Sequence, residues 1–233
     1  MKNFLLALLP LFAAQVLIAQ DVFRFGAIPV VNLNLKLNKN YSLNGKLENR
    51  HIFEDGTFNG EIRNADYRFE RQDAEVVLAN KLSANAKAAG GYMIRFESER
   101  VIHRTMQQVS FTQPLGTIRF AHRIKADQTW DPNEPFELRL RYRLGAEIPL
   151  FGTQVDPREL YLKTNLEYLA RFQEGYETEF RALPALGYLA ANQNAFELGL
   201  DYRFSNAFEN VSGHGFWIYF GYYLRFDRSK NEK

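Results

Sequence analysis

The sequence predicts an all-β fold, an antiparallel up-and-down transmembrane β-barrel of about 10–12 strands. Three observations predict it. Segments alternating apolar and polar residues recur along nearly the whole chain, the first 19 residues have the form of an export signal, and no later apolar run reaches the ~18 residues of a membrane helix. The clearest segment is Phe136–Ile148, FELRLRYRLGAEI. It puts Phe136, Leu138, Leu140, Tyr142 and Leu144 on one parity and Glu137, Arg139, Arg141 and Arg143 on the other. Alternate side chains of a strand point to opposite faces, so this segment has one apolar face and one face of guanidiniums. A half-buried strand of a soluble sandwich shows the same alternation, and repetition of long strands behind an export signal is what separates the two.

Met1-Lys2-Asn3 gives a short basic start, Phe4–Ile18 an apolar stretch broken by Pro10, and Ala19-Gln20 a small residue at a cleavage point. Residues 1–19 are therefore expected to be a signal peptide and 20–233 a single barrel domain. The alternative, an N-terminal anchor, is disfavoured by Pro10 and by the short apolar core. With no cysteine in the chain, neither a lipoprotein anchor nor a disulfide can form.

In order, the first alternating segment sets Val31, Leu33, Leu35 and Leu37 against Asn32, Asn34, Lys36 and Asn38, and turns at Asn38–Asn40. The second carries Tyr41, Leu43 and Leu47 and ends near Phe53, with Glu54–Gly60 read as a loop from its Asp55-Gly56 and Asn59-Gly60 pairs. In the third, Tyr67 and Phe69 are apolar at odd positions but Val76, Leu78 and Leu82 at even ones, so a bulge or break is expected around Arg71–Asp73. Ser83–Asn85 turns into Lys87–Glu97, where Gly90-Gly91 suggests a bend or close backbone approach. Val101–Gln113 follows, then a turn at Pro114–Gly116, and Ile118, Phe120 and Ile124 alternating with Arg119, Arg123 and Asp127 up to a turn at Asp131–Glu134.

After Phe136–Ile148, the stretch Pro149–Pro157 connects to a strand alternating Leu160, Leu162, Leu166 and Tyr168 with Lys163, Asn165, Glu167 and Arg171. Gln173–Gly175 turns to Glu177–Arg181, and Asn192–Asn194 to Phe196–Phe204. The last strand, Gly215–Phe226, carries Phe216, Ile218, Phe220, Tyr222, Leu224 and Phe226 on one parity, which suits an interfacial aromatic belt, although a charged tail follows it. Eleven segments result. Since bacterial single-chain barrels have even strand numbers, closure is expected to need a further strand in Val22–Ile28 or a merger.

The 29 basic and 27 acidic residues leave a formal charge of +2, with no bias toward nucleic acid. The mean hydropathy is negative, which a barrel permits because only alternate strand residues need be apolar.

Four stretches carry a resemblance: ERVIHRTMQQVSF at 99–111, AGGYMIRFE at 89–97, FELRLRYRL at 136–144 and ALGYLAANQNAFELGLDYR at 185–203. Through them nearly the whole exported chain resembles the uncharacterised outer-membrane barrel family, domain of unknown function 2490, of Gram-negative bacteria of the Bacteroidetes type. The resemblance implies residence in the cell outer membrane and no assigned activity, and it carries over no functional residue.

The face opposite the apolar stripe holds the lumen candidates Arg95, Arg104, Arg119, Arg123, Glu137, Arg139, Arg141, Arg143, Glu167, Glu179, Arg181, Asp201 and Arg203. Charges leaving water need partners, so they are expected to form Arg–carboxylate pairs across neighbouring strands. The first functional reading is a structural or interaction barrel with a charge-filled lumen, in contact with outer-membrane lipid and with an envelope protein as its candidate partner. The alternative is a small porin-like channel favouring anions through its arginines. The third is a lipid-modifying enzyme. His51, His103, His122 and His214 are the candidate bases, but no motif fixes a triad, the pair Ser212 and His214 is unspecific, and no spacing suits a metal. No catalytic residue, metal or cofactor is assigned.

Overall fold

The computed structural model describes residues 21–206 and 211–228. The signal-peptide expectation for residues 1–19 lies outside the described residues, as does the end of the charged tail. The strands are β1 Val22–Lys36, β2 Tyr41–Thr57, β3 Arg63–Asn64, β4 Arg68–Lys81, β5 Ala86–Phe96 and β6 Val101–Leu115, followed by β7 Ile118–Asp131, β8 Glu134–Pro149, β9 Glu159–Phe172, β10 Tyr176–Leu189, β11 Ala195–Ser205 and β12 Gly213–Asp227. Each long strand pairs antiparallel with the next, and the two-residue β3 hangs on the end of β2.

Eleven long strands close the barrel, and the expected even count is corrected. When strands alternate up and down, an odd number leaves the first and last pointing the same way, so they can meet only as a parallel pair. β1 and β12 do so over their full lengths, from Val22↔Gly213 to Lys36↔Asp227. Parallel bonds are slanted and slightly weaker per residue than antiparallel ones, and a 15-residue ladder offsets this by length. Val22–Ile28 is thus no extra strand but the first half of β1.

Three local features set which side chains face inward. Arg50 pairs with Arg71 but His51 with Phe69, so Glu70 is the extra residue of a bulge one position before the expected switch. Glu54–Thr57, expected as loop, continues β2. The reason is Gly56, where a side chain would meet the Ile62 carbonyl oxygen at 2.2 Å; its lack of Cβ lets β3 approach. Gly91 likewise lies 2.7–2.8 Å from Val77 and Val76 atoms at the position a Cβ would take, a close approach rather than a bend. Pro29 and Pro184 lack the N–H a ladder needs, and pairing is interrupted beside both, between Ala27 and Val30 and between Ala182 and Ala185.

The apolar parity points outward. Along β8, Leu140 is 46% exposed while Arg139 is 6% exposed. Val31, Leu47, Val76, Val109, Ile124, Leu166 and Leu198 continue that outer surface around the barrel. Toward the end where β1 and β12 begin it becomes aromatic, with Phe25 against Phe53, Trp130 against Phe136 and Phe172 against Tyr176. Inside are small apolar clusters, such as Ile28, Val30, Ile52, Trp217 and Tyr219 along the parallel seam, set among charges. A 14-residue strand tilted about 40° rises roughly 35 Å, more than the ~25 Å apolar band of an outer-membrane barrel.

Candidate functional site: the charged lumen

Period two brings inward-facing charges of neighbouring strands side by side, and register decides which pairs meet. Glu167 on β9 lies opposite Arg143 on β8 and Arg181 on β10. Its carboxylate accepts from Arg141 at 2.5 Å and Arg143 at 2.8 Å, and lies 3.4 Å from both Arg123 and Arg181. Asp127, fully buried, holds Arg139 at 3.2 Å, Arg141 at 3.3 Å and Lys125 at 3.4 Å. Arg141 therefore links the two carboxylates, so the charges of β7–β10 form one network rather than separate pairs.

The other candidates are placed as follows. Arg95 donates Nε and Nη2 to the two oxygens of Asp73 at 2.7 and 2.8 Å, a bidentate fork. Arg104 donates to Thr129 at 2.8 Å, and Glu137 lies 3.4 Å from Arg139 and 3.1 Å from Arg171. Arg119 meets Glu147 at 2.8 Å toward the other end, Glu179 pairs with Arg181, and Asp201 takes Arg203 at 2.7 Å. Ten of the thirteen line the central cavity; Arg119 and Glu179 line the cavities on either side, and Glu137 stands behind Arg104 and Arg139.

These cavities follow one another along the lumen with volumes of about 360, 440 and 520 Å³. Asn32, Lys163 and Asn165 are shared by the first two; Arg50, Arg71, Arg95, Arg139, Arg181 and Arg203 are shared by the last two. Thirteen Lys and Arg side chains and five Asp and Glu line the central one. Lys46, Glu48, Arg50, Glu75 and Lys125 belong to this site although absent from the sequence candidates; the same parity rule would have found them. Arg71 and Asp73 lay in the stretch where the bulge obscured parity.

The four histidines do not converge on one another; His122 borders the central cavity and His214 the one at the end where β1 and β12 begin. Each histidine Nδ1 meets the hydroxyl of a tyrosine: His51 and Tyr67 at 3.0 Å, His103 and Tyr92 at 2.5 Å, His122 and Tyr142 at 2.8 Å, His214 and Tyr202 at 2.9 Å. Ser212 donates its hydroxyl to Asp21 at 2.9 Å and His214 Nε2 lies 3.3 Å from the same carboxylate, so the serine is tied to the acid and not to the imidazole. That arrangement fastens the start of β1 to the start of β12. Burial opposes ionisation of Asp21, but the Ser212 backbone and hydroxyl, with His214, hold its carboxyl below the usual range.

An outward apolar surface around a braced, cation-rich lumen defines the molecule as a closed β-barrel with a charged interior. Residues 28–213 match the family described as protein of unknown function, DUF2490, and the chain belongs to that family. Comparison with curated proteins returns no match, and neither does comparison with solved structures.

Proposed function

We propose that the protein is an outer-membrane β-barrel of a Gram-negative envelope, exported by a cleaved signal peptide, with a lumen braced by ion pairs, serving as a structural or interaction barrel. The observation that carries this reading is the reversal of the usual burial pattern: leucines, valines and aromatics cover the outside while Asp127, Glu167, Arg139 and Lys125 are buried within. Such a surface suits hydrocarbon, and its aromatic end suits an interface where amphipathic rings sit between lipid and water. Fractionation tests it. The protein should stay with outer membranes through a carbonate or urea wash, and its recovery as soluble periplasmic protein would overturn the reading.

A second reading, a small anion-favouring channel, is supported by the excess of cations over carboxylates in the central cavity. Planar bilayers separate the two. The braced lumen predicts no openings over a wide voltage range, whereas a channel would conduct and lose anion preference in Arg139→Glu with Arg141→Glu.

A further inference from the structure

We propose that the lumen chamber at the end where β1 and β12 begin is a binding site for a phosphate-bearing ligand, with Arg71 as a cation left free to receive it. The inference rests on the barrel interior alone and holds wherever the barrel resides.

The chamber is short of acceptors. Eight arginines and two carboxylates line it, and both carboxylates are engaged, Glu177 by Arg171 at 2.8 Å and Glu179 by Arg181. Arg71 makes no hydrogen bond and no ion pair within 4.0 Å among the described residues, and its Nε is buried without an acceptor. The neighbouring carboxylates lean toward other arginines, and Glu70 Oε2, although it makes no hydrogen bond, does not come within 4.0 Å of Arg71. Glu70 lies 3.4 Å from both Arg24 and Arg50, and Asp73 is held by the Arg95 fork.

The bulge worsens this imbalance. It sets Arg71 directly across from Arg50, and both line the chamber together with Arg95 and Arg203. Like charges facing each other on paired strands are destabilising, and neither guanidinium can shed its proton to relieve it. The Nε atoms of Arg50 and Arg139 are buried without a hydrogen bond, each reaching a carboxylate oxygen only as an ion pair at 3.4 Å, and the buried indole Nε1 of Trp217 has no hydrogen-bond acceptor. These groups only donate, so the missing component is an acceptor bearing more than one negative charge. A carboxylate brings two oxygens and one charge. A phosphate ester brings three free oxygens and about two charges in a form that guanidinium forks match. At about 520 Å³, with Ser205 and Ser212 lining it beside the barrel end, the chamber has the size of a small-ligand site.

Trp217 lies in this chamber, with Arg50 4.8 Å above its ring, while the only other tryptophan, Trp130, faces outward. Trp130→Phe thus leaves one fluorescent reporter at the site. Detergent-solubilised protein should give a saturable fluorescence change with inorganic phosphate, pyrophosphate or glycerol 3-phosphate, and none with chloride or acetate at equal ionic strength. Short-chain phosphatidic acid binding more tightly than glycerol 3-phosphate assigns a lipid headgroup; the reverse assigns a soluble phosphate ester. Arg71→Gln should weaken binding about tenfold or more while leaving unfolding in denaturant unchanged or shifted to higher concentration, and Arg71→Lys should bind at an intermediate level. An equal response to chloride, or unaltered binding by Arg71→Gln, would overturn the proposal. If Arg71→Gln does not fold, the wild-type titration still decides. Because binding is read in detergent, its failure is distinct from failure to find the protein in the outer membrane.

Discussion

Glu167 faces guanidiniums from three other strands, and its place in the lumen turns on that number. A carboxylate buried among arginines on β7, β8 and β10 is sustained by their charge, and those arginines are sustained by it. Glu167→Gln removes the shared anion and leaves the cations facing one another, so it should destabilise the barrel by about 3 kcal/mol, read from urea unfolding in micelles. Arg119→Gln, at an exposed pair with Glu147, should change stability by less than about 1 kcal/mol. Asp21 gives the pH-dependent counterpart. Its carboxyl is held below the ordinary value in the folded chain, so its contribution is complete above the unfolded pKa of about 3.9 and is lost as pH falls through the lower folded value. Asp21→Asn should remove that acid-side step from a stability-versus-pH curve and cost about 1–2 kcal/mol at neutral pH through the weakened bonds to Ser212 and His214.

At the scale of the strand, packing across the pleat decides which small residues are irreplaceable. The Tyr161 ring lies directly over Gly187 on the neighbouring strand, where an added Cβ would sit 2.2 Å from a ring carbon, and its hydroxyl donates to Glu197 at 2.9 Å. Gly187→Ala should push the ring aside and cost about 2 kcal/mol, whereas Gly45→Ala, with nothing within 4 Å, should be close to neutral by the same urea assay. The strands themselves were legible because period two survives over most of the long segments, and Phe136–Ile148 shows it without interruption. Less was legible where backbone geometry breaks the period. The Glu70 bulge disguised which residues of β4 face inward and so hid Arg71. Asp55-Gly56 looked like a turn because only the fold reveals that Gly56 makes room for β3. In VFRFGAI, at the start of β1, the alternation is blurred by Gly26 and Ala27, and its partner across the seam lies some 190 residues away in sequence.

For the whole molecule, the parallel seam follows from the count of strands, and the lumen follows from the seam having closed. Parity alone found the inward face, but it could not say that Glu167 gathers four arginines or that Arg71 has none of the carboxylates to itself, because those facts depend on register across several strands. The claim on which the proposed function stands is that the alternating faces separate lipid from lumen. The cysteine-free chain allows a direct measurement: spin labels on single cysteines placed along β6 and β8 in reconstituted membranes, with collision by oxygen and by a water-soluble nickel chelate compared at each site. The outward positions Val109, Phe111 and Leu140 should favour oxygen, with the inward Ser110 showing the opposite or little access to either. Equal access of the nickel chelate to Val109, Leu140 and Ser110 would contradict the account.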